Sequence, residues 1–227
     1  MIEEEEWCVL NPAEEALYEQ AVMDKAHTDI RRVSWNEPDL KQSSKACRLM
    51  ELVKAAEEEG RKVIVFSFFL DTISSVMSLL KDRCYGPING SVPPDKRQAI
   101  IDDFDKAPAG SVLASQIQAG GTGLNIQSAS VVILCEPQFK PSIENQAVSR
   151  AYRMGQTRNV LVFRLLCEDT IDERIMDILE EKKLLFDAFA DKSEAAMTNI
   201  ELDNQTFGDL IKAEIDRINE KHRMKAS

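Results

Sequence analysis

The chain has 227 residues, of which 44% are hydrophobic and 30% charged, which is enough apolar material for one sizeable core with or without helical additions. The first residues, MIEEEEW, are acidic where a secretion signal is basic, and no apolar run approaches the roughly 18 residues of a membrane span. We therefore expect a cytoplasmic, nucleoid-associated protein, and its formal net charge of −11 excludes a surface that attracts DNA everywhere.

Residues 1–42 differ in character from the rest of the chain. They comprise an acidic start, a helical pattern over about residues 12–27 and then a polar stretch, so we predict a connector that packs on the main domain. From Ser43 the apolar residues recur at helical spacing until Gly60 ends the pattern, which predicts a helix capped by Ser43 or Ser44.

Short apolar segments alternate with helical patterns through the middle of the chain. These segments are 62–69, 111–115, 130–136 and 159–166. They are rich in β-branched residues, which is typical of strands buried on both faces. Between them we predict helices capped by Asp71, opened by Pro93-Pro94 and following Pro141. The alternation indicates an α/β fold with a parallel sheet covered on both sides, over residues 43–168.

The remaining residues, 169–227, contain two amphipathic helical patterns. One begins at Thr170, which forms an N-terminal capping pattern with Glu173, and the other spans about residues 206–223. We predict that both helices brace the main domain or its neighbour.

The strongest local pattern is QAVSRAYRMGQ, residues 146–156. On a helix, Arg150 and Arg153 stand three apart and Gln146 lies four before Arg150, so all three project from one side. The small alanines of this motif allow the helix to approach its sheet closely. Two arginines on an exposed helix are usually only solvated, so the neighbouring sequence has to decide between the two interpretations.

The segment directly upstream, SQIQAGGTGLNIQSASVVILCEPQFKP, covers residues 115–141. Its glycines Gly120, Gly121 and Gly123 follow a predicted strand, where backbone without side chains can approach a phosphate. The spacing is neither the GxGxxG fingerprint nor a P-loop, and a glycine-rich turn by itself is more often only a turn.

Together the two segments resemble motifs V and VI of the superfamily-two helicases, specifically the Swi/Snf-type DNA translocases. In that family motif V reads roughly S-T-x-A-G-G-x-G-L-N-L and motif VI reads Q-A-x-x-R-x-x-R-x-G-Q. Other pieces follow the family's order: SSKACRLMELV (43–53), KVIVFSFFLDT (62–72, resembling motif IV), INGSVPPDKRQAIIDDF (88–104) and TIDERIMDILEEKK (170–183). The resemblance covers roughly residues 40–190. It implies a C-terminal RecA-like lobe, an α/β three-layer sandwich with a mostly parallel sheet, an N-terminal connector and C-terminal brace helices.

For the nucleotide, the resemblance implies that Arg150 and Arg153 are the motif VI arginines, which reach the γ-phosphate of ATP as catalytic arginine fingers. A planar guanidinium offers several donors to phosphate oxygens and offsets charge that builds up in the transition state. The residues expected at ATP are Gly121, Gly123, Gln146, Arg150, Arg153 and Gln156.

For DNA, the resemblance implies backbone contacts at Ser67, Gly90, Ser91, Ser115 and Gln116. Ordinary strand-end or turn chemistry is an equally good interpretation of Ser67, Gly90 and Ser91. The sequence departs from the family at Gln116, where many relatives have Thr, at Gln118, where Lys or Arg is frequent, and at Phe139-Lys140-Pro141, which replaces Trp-Asn-Pro. These departures leave both arginines intact.

Hydrolysis also needs a loop with a lysine that cradles the phosphates and an acidic pair that holds Mg²⁺. Gly60-Arg61-Lys62 lacks the preceding glycine of a P-loop, and Asp102-Asp103 lies on a predicted helix. The five cysteines are odd in number and contain no CxxC pair, so we expect no metal site in this chain. ATP and Mg²⁺ would be bound mainly by a first RecA-like lobe of the same polypeptide.

Three functions remain open. The first is the second motor lobe of an ATP-dependent double-stranded-DNA translocase, monomeric and unable to hydrolyse ATP alone. The second is a stand-alone lobe that binds DNA or a protein without turnover. The third is an RNA helicase lobe, which is disfavoured because RNA-type lobes usually have an H-R-x-G-R-x-G-R motif VI, whereas this motif ends R-M-G-Q.

Overall fold

The computed structural model describes residues 1–119, 126, 128–151, 158–189 and 200–226, with the backbone alone at 186–189. The strands in these ranges are β1 Ile2–Cys8, β2 Val63–Ser67, β3 Cys84–Ile88, β4 Val112–Gln116, β5 Val131–Leu134 and β6 Leu161–Cys167. They form one sheet in the order β1-β6-β5-β2-β4-β3. Every neighbouring pair is parallel, so the carboxyl ends of the strands all lie at the same edge.

The described helices are α1 Pro12–Met23, α2 His27–Arg31, α3 Ser44–Glu58, α4 Leu70–Leu80, α5 Pro94–Lys106, α6 Pro141–Ala151, α7 Ile171–Phe189 and α8 Asn204–Lys225. α4 begins one residue before the predicted cap, because Phe69 is the N-cap and Asp71 lies in the first turn. Within the described ranges, none of the helices has the length and apolar character that crossing a membrane requires.

Hydrophobic clusters cover both faces of the central strands. On one face, Ile64 and Phe66 of β2 pack with buried residues of α5 and α6. On the other, Val63 and Val65 pack with buried residues of α3 and α4. Alternate residues of a strand point to opposite faces, so the fully apolar pattern of β2 follows from this double coverage. The predicted α/β sandwich with a parallel sheet is confirmed.

Two strands, β1 and β3, are not predicted from the sequence. Residues 2–8, in the predicted connector, form the edge strand β1 and pair with β6 from Ile2 opposite Leu161 to Cys8 opposite Cys167. The four consecutive glutamates remain largely exposed at this edge. Part of the predicted connector is therefore an edge strand, and the division of the chain at residues 1–42, 43–168 and 169–227 stays a prediction. β3 has the sequence CYGPI, whose Gly-Pro pair hides it from a search for strand patterns.

The helices at the two ends of the chain pack on each other in a separate cluster. It contains buried residues of α1, α2, α7 and α8. The Tyr18 hydroxyl in α1 donates to Glu214 of α8 at 2.9 Å and accepts from the amide of Ile171 at 2.7 Å. The first and last parts of the chain are thereby fixed to the carboxyl end of β6.

A buried ion pair joins α3 to α7. Lys45 Nζ lies 2.6 Å from Asp172 Oδ2, and both side chains are fully buried. Lys45 also donates to the carbonyl of Cys135 at 3.3 Å, and the amide of Cys167 donates to Asp172 at 3.1 Å. Burial alone would lower the pKa of Lys45, but attraction from the Asp172 carboxylate outweighs it and holds that pKa above its ordinary value.

Candidate functional site

The sheet has a switch point between β2 and β5. The chain leaves β2 through α4 towards β3 on one side, and leaves the adjacent β5 through α6 towards β6 on the other. α4 and α6 lie on opposite faces of the sheet. In open α/β sheets, ligands bind in the crevice outside the carboxyl ends of the strands at such a point. A ligand site is therefore expected at this edge of the sheet.

Ser67 ends β2 at this crevice and is fully buried. Its hydroxyl donates to the carboxylate of Glu136 at 2.8 Å and accepts from the amide of Phe69 at 3.1 Å. Glu136 also accepts from the amide of Phe68 at 2.6 Å and from Gln138 Nε2 at 3.0 Å. Burial raises the pKa of the Glu136 carboxyl. Ser67 thus belongs to a buried polar network under the crevice.

Ser115 and Gln116 end the neighbouring strand β4. Ser115 is fully buried, and its hydroxyl lies 3.3 Å from the carbonyl of Ile88. Gln116 is only partly buried, and its Nε2 donates to the carbonyl of Phe68 at 3.1 Å. Gln116 therefore ties the ends of β4 and β2 together and still reaches the surface.

Gly90 and Ser91 lie in the exposed turn between β3 and α5. The amide and hydroxyl of Ser91 both donate to Asn89 Oδ1, at 3.0 and 2.7 Å. Arg97 Nε braces the turn by donating to the carbonyl of Val92 at 2.6 Å. A side-chain Cβ at Gly90 would meet nothing within 4 Å, so the turn is open on that side.

All five predicted DNA contacts therefore lie at the carboxyl edge of the sheet, after β2, β3 and β4. Their accessibility differs, because the hydroxyls of Ser67 and Ser115 face inwards. Of the five predicted contacts, only Gly90, Ser91 and Gln116 are accessible from outside the lobe.

α6 carries the first part of the predicted nucleotide site. It joins the parallel strands β5 and β6, so it runs from the carboxyl edge back towards the amino edge. Ala147 and Ala151 are each 1% exposed, which agrees with the predicted close approach of helix and sheet. Gln146 is exposed on this helix, and Arg150 is half-buried with its Nε inside the protein.

Other predicted nucleotide-site residues lie outside the described residues: Gly121, Gly123, Arg153 and Gln156. The segment that carries the glycines nevertheless has both of its ends described. It leaves β4 at Gln116, and at its far end the amide of Ile126 donates to the carbonyl of Arg150 at 3.2 Å. One segment thus connects the predicted DNA edge to the predicted nucleotide helix.

Glu144 anchors the first turn of α6 and was not predicted. Its carboxylate accepts from the amide of Gln138 at 3.0 Å and from Arg164 Nε at 3.1 Å, and it also pairs with Arg164 Nη2. Burial by itself would lower the pKa of Arg164, but Glu144 outweighs it and raises that pKa. The helix that carries Arg150 is therefore fixed to β6 by a largely buried ion pair.

Arg31 is a second residue that the sequence analysis missed. Its guanidinium lies at the carboxyl edge among the rings of Phe68, Phe69 and Phe139. Because these rings come from segments far from Arg31 in the sequence, no local pattern predicts the cluster. In the described ranges, no group of three or more His, Cys, Asp or Glu residues is arranged to hold a metal ion.

Comparison with known proteins gives a consistent family. The helicase conserved C-terminal domain family matches residues 44–155. An uncharacterized ATP-dependent helicase of Mycoplasma pneumoniae is 35% identical over 148 residues, 64% of this chain and 14% of that protein. The mouse SWI/SNF-related matrix-associated actin-dependent regulator of chromatin subfamily A member 1 is 35% identical over 148 residues, 62% of this chain and 14% of that protein. The chain thus spans 14% of the length of each of these relatives.

Solved structures agree on the fold. The C-terminal part of the Fun30 ATPase domain superimposes with a TM-score of 0.74 at 19% identity, covering 96% of this chain and 98% of that one. The Sulfolobus solfataricus SWI2/SNF2 ATPase core in complex with dsDNA gives a TM-score of 0.66 at 24% identity, covering 88% of this chain and 50% of that one. Both likenesses support a RecA-like fold. Residues 44–155 of this chain thus match the helicase conserved C-terminal domain, and the sequence relatives of the chain include a SWI/SNF-related chromatin regulator and an ATP-dependent helicase.

Proposed function

We propose that this chain is the second motor lobe of an ATP-dependent double-stranded-DNA translocase. The observation that carries the proposal is the hydrogen bond between the Ile126 amide and the Arg150 carbonyl. It connects α6 to the segment that begins at Gln116 on the carboxyl edge. A segment that touches both places can transmit a change at the nucleotide to the DNA, which is what a translocase requires.

On the nucleotide side, Arg150 and Arg153 are proposed to reach the γ-phosphate of ATP held by the first lobe. Such arginines contribute about 10³–10⁵ in rate, because their donors offset charge on the transferred phosphoryl group. This effect requires a guanidinium that is already in position. The close packing of its helix on the sheet and the anchor at Glu144 support this role for Arg150.

The other nucleotide contacts follow from the family resemblance. Gln146 lies one turn before Arg150 on α6, where it can help to orient the finger. Gly121, Gly123 and Gln156 complete the proposed set. Mg²⁺, bound with ATP by the first lobe, would neutralise charge on the β- and γ-phosphates.

On the DNA side, the proposal gives backbone contacts to Gly90, Ser91 and Gln116, which are accessible at the carboxyl edge. Ser67 and Ser115 support the same edge through their internal hydrogen bonds. The Sulfolobus relative of this fold was solved with double-stranded DNA, which favours that ligand for this lobe as well.

The isolated chain is expected to show no ATP hydrolysis above background, with or without DNA. The reason is that the phosphate-cradling loop and the acidic pair would belong to the first lobe. Phosphate release by the pure 227-residue chain and by the two-lobe protein measures this directly. Turnover by the pure chain would contradict the proposal that this lobe supplies only part of the catalytic site. A two-lobe protein without DNA-stimulated turnover would contradict the proposed translocase function.

Binding of a DNA duplex by the chain is expected to be weak and to fall as salt is added. Each neutralised phosphate releases counterions, so the slope of log K against log[salt] is about −0.9 per phosphate contact. Fluorescence anisotropy with a labelled duplex between about 50 and 200 mM salt measures that slope. Affinity that does not depend on salt would instead favour a stand-alone lobe that binds another protein.

A further inference from the structure

Arg31 is a cation at the carboxyl edge that neither proposed set of contacts uses. We propose that Arg31 binds a backbone phosphate of the DNA duplex. This inference rests on the proposed function, because it adds a residue to the DNA side of the same lobe.

The aromatic rings around Arg31 contact the flat faces of its guanidinium and hold it in place. The guanidinium carbon lies 3.9 Å from the ring centroid of Phe139 and 5.0 Å from the centroids of Phe68 and Phe69. Cation–π contacts use the flat faces of a guanidinium, whereas its N–H donors point outwards in its plane. The rings therefore hold the group in place without consuming its hydrogen-bonding capacity.

The donors of Arg31 lack a direct acceptor in the part of the chain that the structure describes. Its Nε is buried there without a hydrogen-bond partner. Burial lowers the pKa of Arg31, and the carboxylates of Glu136 and Asp172 act on it only through space. Those carboxylates already accept from Ser67 and Lys45, respectively.

A largely buried cation whose donors are unused is costly to the folded protein. The two Nη groups are not among the described buried atoms without a partner, so an external anion can reach them and offset part of that cost. Phosphate oxygens match the donors of a guanidinium particularly well. A purely structural role among these rings would be served by an apolar side chain. Arg31 is therefore better suited to binding a phosphate.

The position of Arg31 identifies the source of the phosphate. Phe68 and Phe69 directly follow β2, and Phe139 follows β5, so the guanidinium lies at the switch point where ligands of such sheets bind. The carbonyl of Phe68 also accepts from Gln116, a proposed DNA contact. Arg31 and Gln116 therefore flank the same residue at the edge, and a duplex that lies along this edge can contact both.

The test measures binding of a labelled DNA duplex to the full 227-residue chain as salt is varied. Arg31→Met, which keeps an apolar side chain among the rings, is expected to weaken binding about tenfold or more and to reduce the salt slope by about 0.9. The matched control is Arg83→Met, which removes the same charge at the amino end of β3, where Arg83 pairs with Glu57 at 2.8 Å. This control is expected to bind as the unchanged chain does.

Arg31→Lys keeps a cation over the rings and guards against misfolding of the methionine variant. It is expected to keep the salt slope and to bind several-fold more weakly, because an ammonium lacks the guanidinium fork. Affinity and slope equal to those of the unchanged chain in Arg31→Met, or a reduced salt slope in Arg31→Lys, would overturn the assignment and leave the proposed function intact. Failure of the unchanged chain to bind the duplex would overturn the DNA side of the proposed function, and this inference with it.

Discussion

Replacing Arg153 or Arg150 with alanine in the two-lobe protein is expected to lower DNA-stimulated ATP hydrolysis by about 10³-fold or more, with Arg150→Ala nearly as severe as Arg153→Ala. In the proposed function, each substitution removes a guanidinium that offsets charge on the γ-phosphoryl group when it is transferred. The loss should appear in kcat, because this contact strengthens as charge develops. Steady-state phosphate release at saturating DNA and ATP provides the measurement.

The matched control for these variants is Arg158→Ala. Arg158 lies on the same connection between α6 and β6, but its guanidinium donates to the carbonyls of Glu59 and Gly60, both at 3.2 Å. Its removal is expected to change the rate by a few-fold at most. Kinetics like those of the unchanged protein in both Arg150→Ala and Arg153→Ala would contradict the finger assignment. Circular dichroism spectra should be the same for all of these variants.

Arg150→Lys separates the charge from the geometry. A lysine keeps the positive charge but presents a single ammonium in place of the planar fork. We therefore expect it to recover little of the rate that the alanine variant loses. Full activity of the lysine variant would mean that only charge near the phosphate matters.

The sequence predicts the central part of this fold well, because the strands β2, β4, β5 and β6 are short segments rich in apolar residues. β1 escapes prediction since its glutamates have low strand propensity and gain their conformation from pairing with β6. Tertiary pairing thus overrides local preference at the edge of the sheet, where one side of the strand stays in water.

The functional site is only partly readable from the sequence. Motif order makes Arg150 and the strand-end positions candidates, but it does not reveal that Ser67 and Ser115 are buried. Nor does it reveal Arg31, whose aromatic neighbours lie in other elements of the chain. Contacts between residues far apart in sequence depend on the packing of several elements at once, so a pattern along one element carries no signal for them.

The contact between α3 and α7 is of this long-range kind, and its loss is expected to destabilise the lobe strongly. Lys45→Met removes the partner of Asp172, whose other oxygen, Oδ1, is buried without a hydrogen-bond partner among the described residues. Removing one member of a buried pair leaves an uncompensated charge and costs about 3–5 kcal/mol. Urea unfolding of the chain, followed by circular dichroism, measures this change in the free energy of unfolding.

Two further variants separate burial from charge. Lys212→Met makes the same substitution in an exposed ion pair, where Lys212 lies 3.0 Å from Asp209. Because solvent screens that pair, the free energy of unfolding should fall by no more than about 0.5 kcal/mol. The double variant Lys45→Met with Asp172→Leu removes both charges and is expected to be more stable than Lys45→Met alone. If Lys45→Met and Lys212→Met had equal, small effects, the ion pair would not be what fixes α7 to α3. In that case the apolar contacts of α7 alone would hold it against the lobe.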